Sequence, residues 1–529
     1  MMTSRYDSSG NTSSSTNAKD GNSSASNFDG YAAQLFQEAD IDGPMVSRNA
    51  FNSLRKETLD EDISEAGSED EEQIILEHTT VVQQADPAAL GGDIGELDEL
   101  ALLLSDTPYK KMKLREKDAR KLFQAGDLWA SLKCRMDILG IAKMYSTGPY
   151  CNENKYPMLL SDAHFKLSKS YAALQCVPQA IDHCNRALEA IPSLGMSNSQ
   201  VISFKKEVHI LLGEALLMAS PPKPQASLQY LLASEGCSCS DDLKDPGVRI
   251  LAAQCHAILG IEKLQQISAT RNAEDTLNQR VQQISAKLLT LDGKSKEYER
   301  LQQKLEETQN ELIEERGFGG VLVNEARLQL DKATDILMFV IDEEEQRLRK
   351  KMSDEERKGH PLIQLLWRRA CEILFKMSVL EGVAGRIKNQ VGHLENITGV
   401  QEGYNCISQG LLACVLKEKG AALVALGSTQ SDSQLQQAEL KKALGAYDDL
   451  MDLQAQRFPE GSAKYATSRA EALKLMGNVY VALRQWERAQ EHFNEAMDMY
   501  ASYLGPTSSL VSDLQTRILE VNSYINAPF

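Results

Sequence analysis

The sequence predicts an all-α protein: helical hairpins stacked into a solenoid, interrupted by a coiled-coil segment and preceded by a disordered acidic N-terminus. Three observations predict it. One spacing occurs twice, as Leu167, Ser168, Tyr171, Ala180, Ala187 and Pro192, and again as Met476, Gly477, Tyr480, Ala489 and Ala496, with Ala501 in the proline's place. Small residues at these offsets let two antiparallel helices touch, and the aromatic fills the gap beside them; a period of about 34 residues is that of a stacked helical hairpin. Between the two sets the apolar period narrows to a heptad seam. Residues 1 to about 30 are Ser, Asn, Gly and Asp with too little apolar surface to offset chain entropy.

Four stretches follow: 1–108 acidic and mostly disordered, 109–261 and 353–529 helical repeats, and 262–352 a coiled-coil or long-helix insert. In the first, a strongly acidic run extends from Asp60 to Glu72, and residues 93–104 have helical spacing with Asp93 placed to cap. That short helix suits docking either on this chain or in a partner's groove. Ser68, followed by Glu69-Asp70-Glu71, is a candidate phosphate acceptor whose added charge could act on the basic stretch Lys110 to Lys121.

Gly126-Asp127 marks the turn of a degenerate first hairpin, between Leu122-Phe123 and Leu128, Trp129 and Leu132. In the second, Pro178 opens the second helix, where a missing N–H costs nothing. The third reads Gly213, then Ala226 and Tyr230, its loop Ser220–Pro224 lengthened by one residue. A fourth, introduced by Asp245-Pro246, begins at Leu251-Ala252 with Cys255 in the aromatic slot and never completes.

Leu277, Val281, Ile284, Leu288 and Leu291 then form the seam. Asp292-Gly293 interrupts it, and Tyr298, Leu301, Leu305 and Leu312 resume in another register. The jump and the glycine favour an intramolecular antiparallel hairpin over a homodimeric rod; a third alternative is that the long helices pack along the solenoid. A second break is expected at Gly317-Phe-Gly-Gly320. The repeats resume near His360-Pro361 with a broad apolar stripe from Leu362 to Leu380. Gly420 opens a hairpin with a turn stretched over residues 427–433 and a second helix carrying Ala443, Tyr447 and Leu450. The last hairpin carries Gly477, Tyr480, Trp486, Ala489, Phe493 and Ala496, and a closing helix from Thr507 to about Ile525 would cover the stack.

Both well-formed segments resemble the tetratricopeptide-repeat family, and the Leu504-Gly505-Pro506 turn is similar to the longer repeats of kinesin light chains. The resemblance implies a scaffold or adaptor binding peptide or helical ligands on concave faces. Its alternative is an obligate structural subunit of a trafficking, ciliary or cytoskeletal assembly. Some members of the family hold acidic chaperone tails; Lys474 and Asn478 match one pair of that residue set and are the candidate partner-binding residues, but neighbouring helices do not supply the rest.

A net charge of −18 argues against general nucleic-acid binding. No run of 18 or more apolar residues suggests membrane insertion. Scattered cysteines suit buried thiols in a reducing cytoplasm. The sequence holds no GxxxxGK[ST], HExxH or GxSxG. Cys237, Cys239 and His256 lack the paired spacing of zinc ligands. No enzyme, metal or cofactor is expected.

Overall fold

The computed structural model describes residues 108–147, 159–191, 199–290 and 295–526. Ser68, the acidic run, the 93–104 helix and Pro192 lie outside them. Among the described residues there are sixteen α-helices and no strand. Two units are distinguished, one containing the described residues 266–320 and the other the rest.

Six helix pairs form hairpins in the larger unit: α1 (Pro108–Gln124) with α2 (Leu128–Thr147), α3 (Leu159–Ala173) with α4 (Val177–Glu189), and α5 (Ser199–Leu217) with α6 (Pro224–Glu235). Further along the chain are α10 (Pro361–Val383) with α11 (Ile387–Tyr404), α12 (Gln409–Thr429) with α13 (Ser433–Arg457), and α14 (Ala463–Ala482) with α15 (Trp486–Leu504). Within each group of three, successive helices pack on one another, and α16 (Ser509–Ile525) packs on α15.

Four of these hairpins share one register. A small buried residue of the first helix is followed 12, 16 and 19 residues later by three buried residues of the second. The sets are Ala119 with Ser131, Arg135 and Ile138; Ser168 with Ala180, Cys184 and Ala187; Ser378 with Gln390, Leu394 and Ile397; and Gly477 with Ala489, Phe493 and Ala496. Their turns are also alike. Gly126, Gln175, Gly385 and Arg484 adopt φ of +83°, +56°, +72° and +59°. The next N–H donates back to the carbonyl five residues earlier, from Asp127 to Leu122, Cys176 to Tyr171, Arg386 to Glu381 and Gln485 to Tyr480, at 2.8–2.9 Å. This left-handed closure satisfies carbonyls that the end of a helix leaves orphaned.

The other two hairpins have longer connections, and here the structure corrects the spacing argument. The α5–α6 loop is longer by two residues, not one, since Ser227 stands 14 positions after Gly213. Ser227 and Leu231 are therefore fully buried in place of Ala226 and Tyr230, which are half-exposed. The reason is local: the Ser227 hydroxyl donates to the Gly213 carbonyl at 2.7 Å, and a Cβ on Gly213 would meet Leu231 at 3.0 Å. In α12–α13 both helices extend, so Gln430–Asp432 suffices as a connection, with the Asp432 carboxylate capping the Gln434 N–H at 2.8 Å. Ala443, Tyr447 and Leu450 are buried, and Tyr447 lies against Gly420.

Between the two groups lie α7 (Pro246–Leu288), α8 (Lys296–Arg349) and the short α9 (Asp354–Gly359). The glycine run 317–320 does not break α8, contrary to the sequence expectation. Each helical glycine costs about 1 kcal/mol relative to alanine, but none removes a backbone donor. Gly319 also allows close approach of Thr270, whose methyl would sit 3.4 Å from an added Cβ. Within residues 266–320 the two helices run antiparallel: Arg316 lies 3.8 Å from Glu274 and 3.3 Å from the Asn278 side-chain Oδ1. Ile267, Thr270, Ile284, Thr308 and Leu312 are buried, while Leu277, Val281, Leu288, Tyr298, Leu301 and Leu305 are half-buried. In the larger unit the pairing is antiparallel as well, through Arg249–Glu343 at 2.9 Å, His256–Gln329 at 2.7 Å and Lys263–Glu325 at 2.7 Å. Gly260 lets the helices close on Leu330.

α8 is fastened to α10 and α11 by polar contacts. Arg327 donates to Glu381, which also accepts from Arg386 at 2.7 Å and Asn389 at 3.3 Å. Glu345 accepts from the Trp367 indole at 3.2 Å and the Tyr404 hydroxyl at 2.6 Å. Ser353 and Glu356 form a capping box on α9, and His360 caps α10 ahead of Pro361.

Candidate interaction grooves

Two grooves open between consecutive first helices, each backed by the second helix between them. The first lies between α1 and α3 and encloses about 370 Å³. Its apolar surface comes from Met112, Ile138 and Leu159, and its charged walls from Lys113, Glu116, Lys117, Arg120, Asp162 and Lys166. Glu116 is held by Arg120 at 3.3 Å, Lys166 at 3.6 Å and Arg135 at 3.9 Å, and Lys166 also meets Asp162 at 3.0 Å. Arg135 occupies the position filled by Cys184, Leu394 and Phe493 in the sister hairpins. One nitrogen of its buried guanidinium donates to the Lys166 carbonyl at 3.1 Å and the Ser170 hydroxyl at 2.8 Å, which offsets part of the cost of burying the charge. Lys113, Lys117 and Arg120 are exposed along one face of α1.

The second groove, about 450 Å³, lies between α14 and α16 at the end of α15. Leu475, Tyr500, Leu504 and Leu510 supply apolar surface; Thr467, Ser468, Glu471 and Lys474 supply polar groups. Glu471 is paired with Lys417 at 2.7 Å. Lys474 and Asn478 do share a face, and both reach α16: the ammonium lies 2.8 Å from Asp513, and the Asn478 side-chain Oδ1 accepts from Arg517 at 3.0 Å. Burial alone would raise the Asp513 carboxyl, but Lys474 and Arg517 outweigh it and hold it below the usual carboxylate range. Asp513 and Arg517 escaped the sequence reading, although their four-residue spacing mirrors that of the pair they engage.

The remaining singled-out residues are structural. Leu167, Ser168, Ala180, Ala187, Ala443, Tyr447, Ala489, Phe493 and Ala496 are buried, as are Gly420 and Gly477; Tyr171, Tyr480 and Trp486 are half-buried. Tyr171 stacks on His183, whose Nδ1 lies 2.9 Å from Nδ1 of the buried His164. Burial, then the neighbouring His183, pushes His164 down to about 4. Trp486 stacks on Tyr524 with centroids 4.6 Å apart.

Both His256 nitrogens are engaged, by Gln329 at 2.7 Å and Ser240 at 3.1 Å, while the Cys239 thiol points to Asp242 at 3.0 Å. Among the described residues no group of three His, Cys, Asp or Glu side chains is placed to hold a metal, and no helix is long and apolar enough to cross a membrane. Compared by sequence with known families and curated proteins, the chain matches no family model and no curated protein.

Proposed function

We propose that this chain is a non-enzymatic protein–protein scaffold or adaptor of tetratricopeptide-like design, holding peptide or helical ligands between successive first helices. The observation that carries the reading is the construction shared by both grooves, in which apolar surface lies beneath a rim of charged side chains. That combination suits an extended or helical ligand with alternating apolar and charged groups. Cys134, Cys184, Cys255, Cys371, Cys406 and Cys414 are buried thiols outside any disulfide, which supports a cytoplasmic setting. The test is affinity purification with quantitative mass spectrometry, comparing the native chain with Lys113→Glu/Lys117→Glu and with Leu504→Ser/Leu510→Ser. Each groove variant should lose a distinct set of partners at unchanged melting temperature. Identical partner sets in all three would refute the scaffold reading.

A second reading, an obligate structural subunit, is favoured by the outer side of α8. Val321 and Leu328 stand two turns apart on one face, each 53% exposed. An obligate subunit would aggregate when purified alone, whereas an adaptor would remain monodisperse in light scattering.

A further inference from the structure

The two grooves differ in charge. Four basic and two acidic side chains line the groove between α1 and α3, whereas Glu471 and Lys474 balance each other in the groove between α14 and α16. The first therefore presents a net positive rim, with Lys113, Lys117 and Arg120 exposed on consecutive turns, Arg120 beside Glu116, above a floor to which the half-buried Leu159 and the mostly buried Met112 and Ile138 contribute.

The same chain carries a segment of opposite and matching character. Asp60–Glu72 contains eight acidic residues and no basic one, and Ile74-Ile75-Leu76 follows after a single glutamine. Acidic groups next to a short apolar run are what a basic rim over an apolar surface accommodates. We propose that residues 60–76 dock in the groove between α1 and α3 of their own chain, with carboxylates against Lys113, Lys117 and Arg120 and the Ile-Ile-Leu run on the apolar surface. The groove would then be self-occupied until an acidic ligand displaces the segment. This last step rests on the scaffold reading; the docking itself does not.

Chain length permits the contact. Residues 77–107 separate the segment from α1, and a stretch of that length extends to about 100 Å at full reach, while the groove begins within the first turns of α1. Covalent linkage makes the encounter intramolecular, at an effective concentration in the millimolar range for linkers that span the sites. Contacts between exposed charges are screened by salt, so the docking should be released at high ionic strength.

The experiment is carbodiimide cross-linking of the full-length chain, using an equal mixture of ¹⁴N- and ¹⁵N-labelled protein read by mass spectrometry. Links from Lys113, Lys117 or Lys166 to acids within 60–72 should appear at low salt, within one isotope only. They should fall at least about fivefold near 0.5 M salt and in Lys113→Glu/Lys117→Glu. A labelled 60–76 peptide should also bind at least about tenfold more tightly to full-length chains whose acids at 60–72 are replaced by Asn and Gln, because the competing segment is then removed. Links spread evenly over lysines throughout the chain, or none at the groove, would overturn the proposal. Mixed-isotope links would overturn it in favour of docking between copies. Failure of the scaffold reading looks different: groove links form, yet Lys113→Glu/Lys117→Glu retains every partner.

Discussion

At Gly477 an added Cβ would overlap the Phe493 ring, and at Gly420 the Tyr447 ring. These glycines are required by close approach of two helices, not by backbone conformation. Gly477→Ala should therefore destabilise the chain by about 1–3 kcal/mol through overpacking, despite the advantage of about 1 kcal/mol that alanine holds in a helix. Adding Phe493→Leu should return part of that loss. Gly445→Ala, with nothing within 4 Å, should stabilise by about 0.5–1 kcal/mol; urea unfolding of the three variants checks the contrast. The His164–His183 pair gives a pH signature. Because burial and the neighbouring ring lower the folded-state value of His164 to about 4 from 6.5, the unfolded chain binds more protons between these values. Its contribution to stability is present above pH 6.5 and is lost as pH falls from 6.5 toward 4. His164→Leu should flatten the dependence of melting temperature on pH in that window. An unchanged slope would show that other groups carry it.

Among the elements, Glu381 joins α8 to the α10–α11 hairpin from a nearly fully buried position. Arg327 and Arg386 overcome the burial that would raise its carboxyl and keep it ionised. Glu381→Ala would leave two guanidinium groups without this partner and should cost about 3–5 kcal/mol, measured by chemical denaturation; Glu381→Gln should cost less. In residues 266–320, Leu312→Asp should accelerate amide exchange across both helices while leaving the mass in solution unchanged. A dimer dissociated by that substitution would mean that the seam pairs between chains. The hairpins with Gly477 and Ser168 were legible in the sequence because a small residue, an alanine and a second alanine mark the contact. The α10–α11 hairpin was not, since Gln390 occupies the first alanine position and Ile397 the second. Its signal was Gly385, which holds the same left-handed turn as Gly126. The 317–320 glycines misled for the opposite reason: glycine weakens a helix without ending it when packing on both sides continues.

For the molecule as a whole, the positions that form the stack were easier to read than the positions that use it. Packing repeats along the chain, so each hairpin informs the next, whereas a groove draws residues from three helices with no shared spacing. Met112, Ile138 and Leu159 meet only in space, and Asp513 and Arg517 become relevant only once α16 lies beside α14. That placement of α16 has a consequence for assembly. Val511, Leu514 and Val521 of α16 complete a core with Ala470, Leu473 and Phe493. Deleting residues 507–529 would bare this apolar side of α14 and α15, and with it Lys474 and Asn478 would lose Asp513 and Arg517. An apolar side built to receive a helix invites association once it is bared. The truncated chain should therefore self-associate with increasing concentration in sedimentation velocity, while the full-length chain does not; by covering that side, α16 keeps it from adhering to another copy.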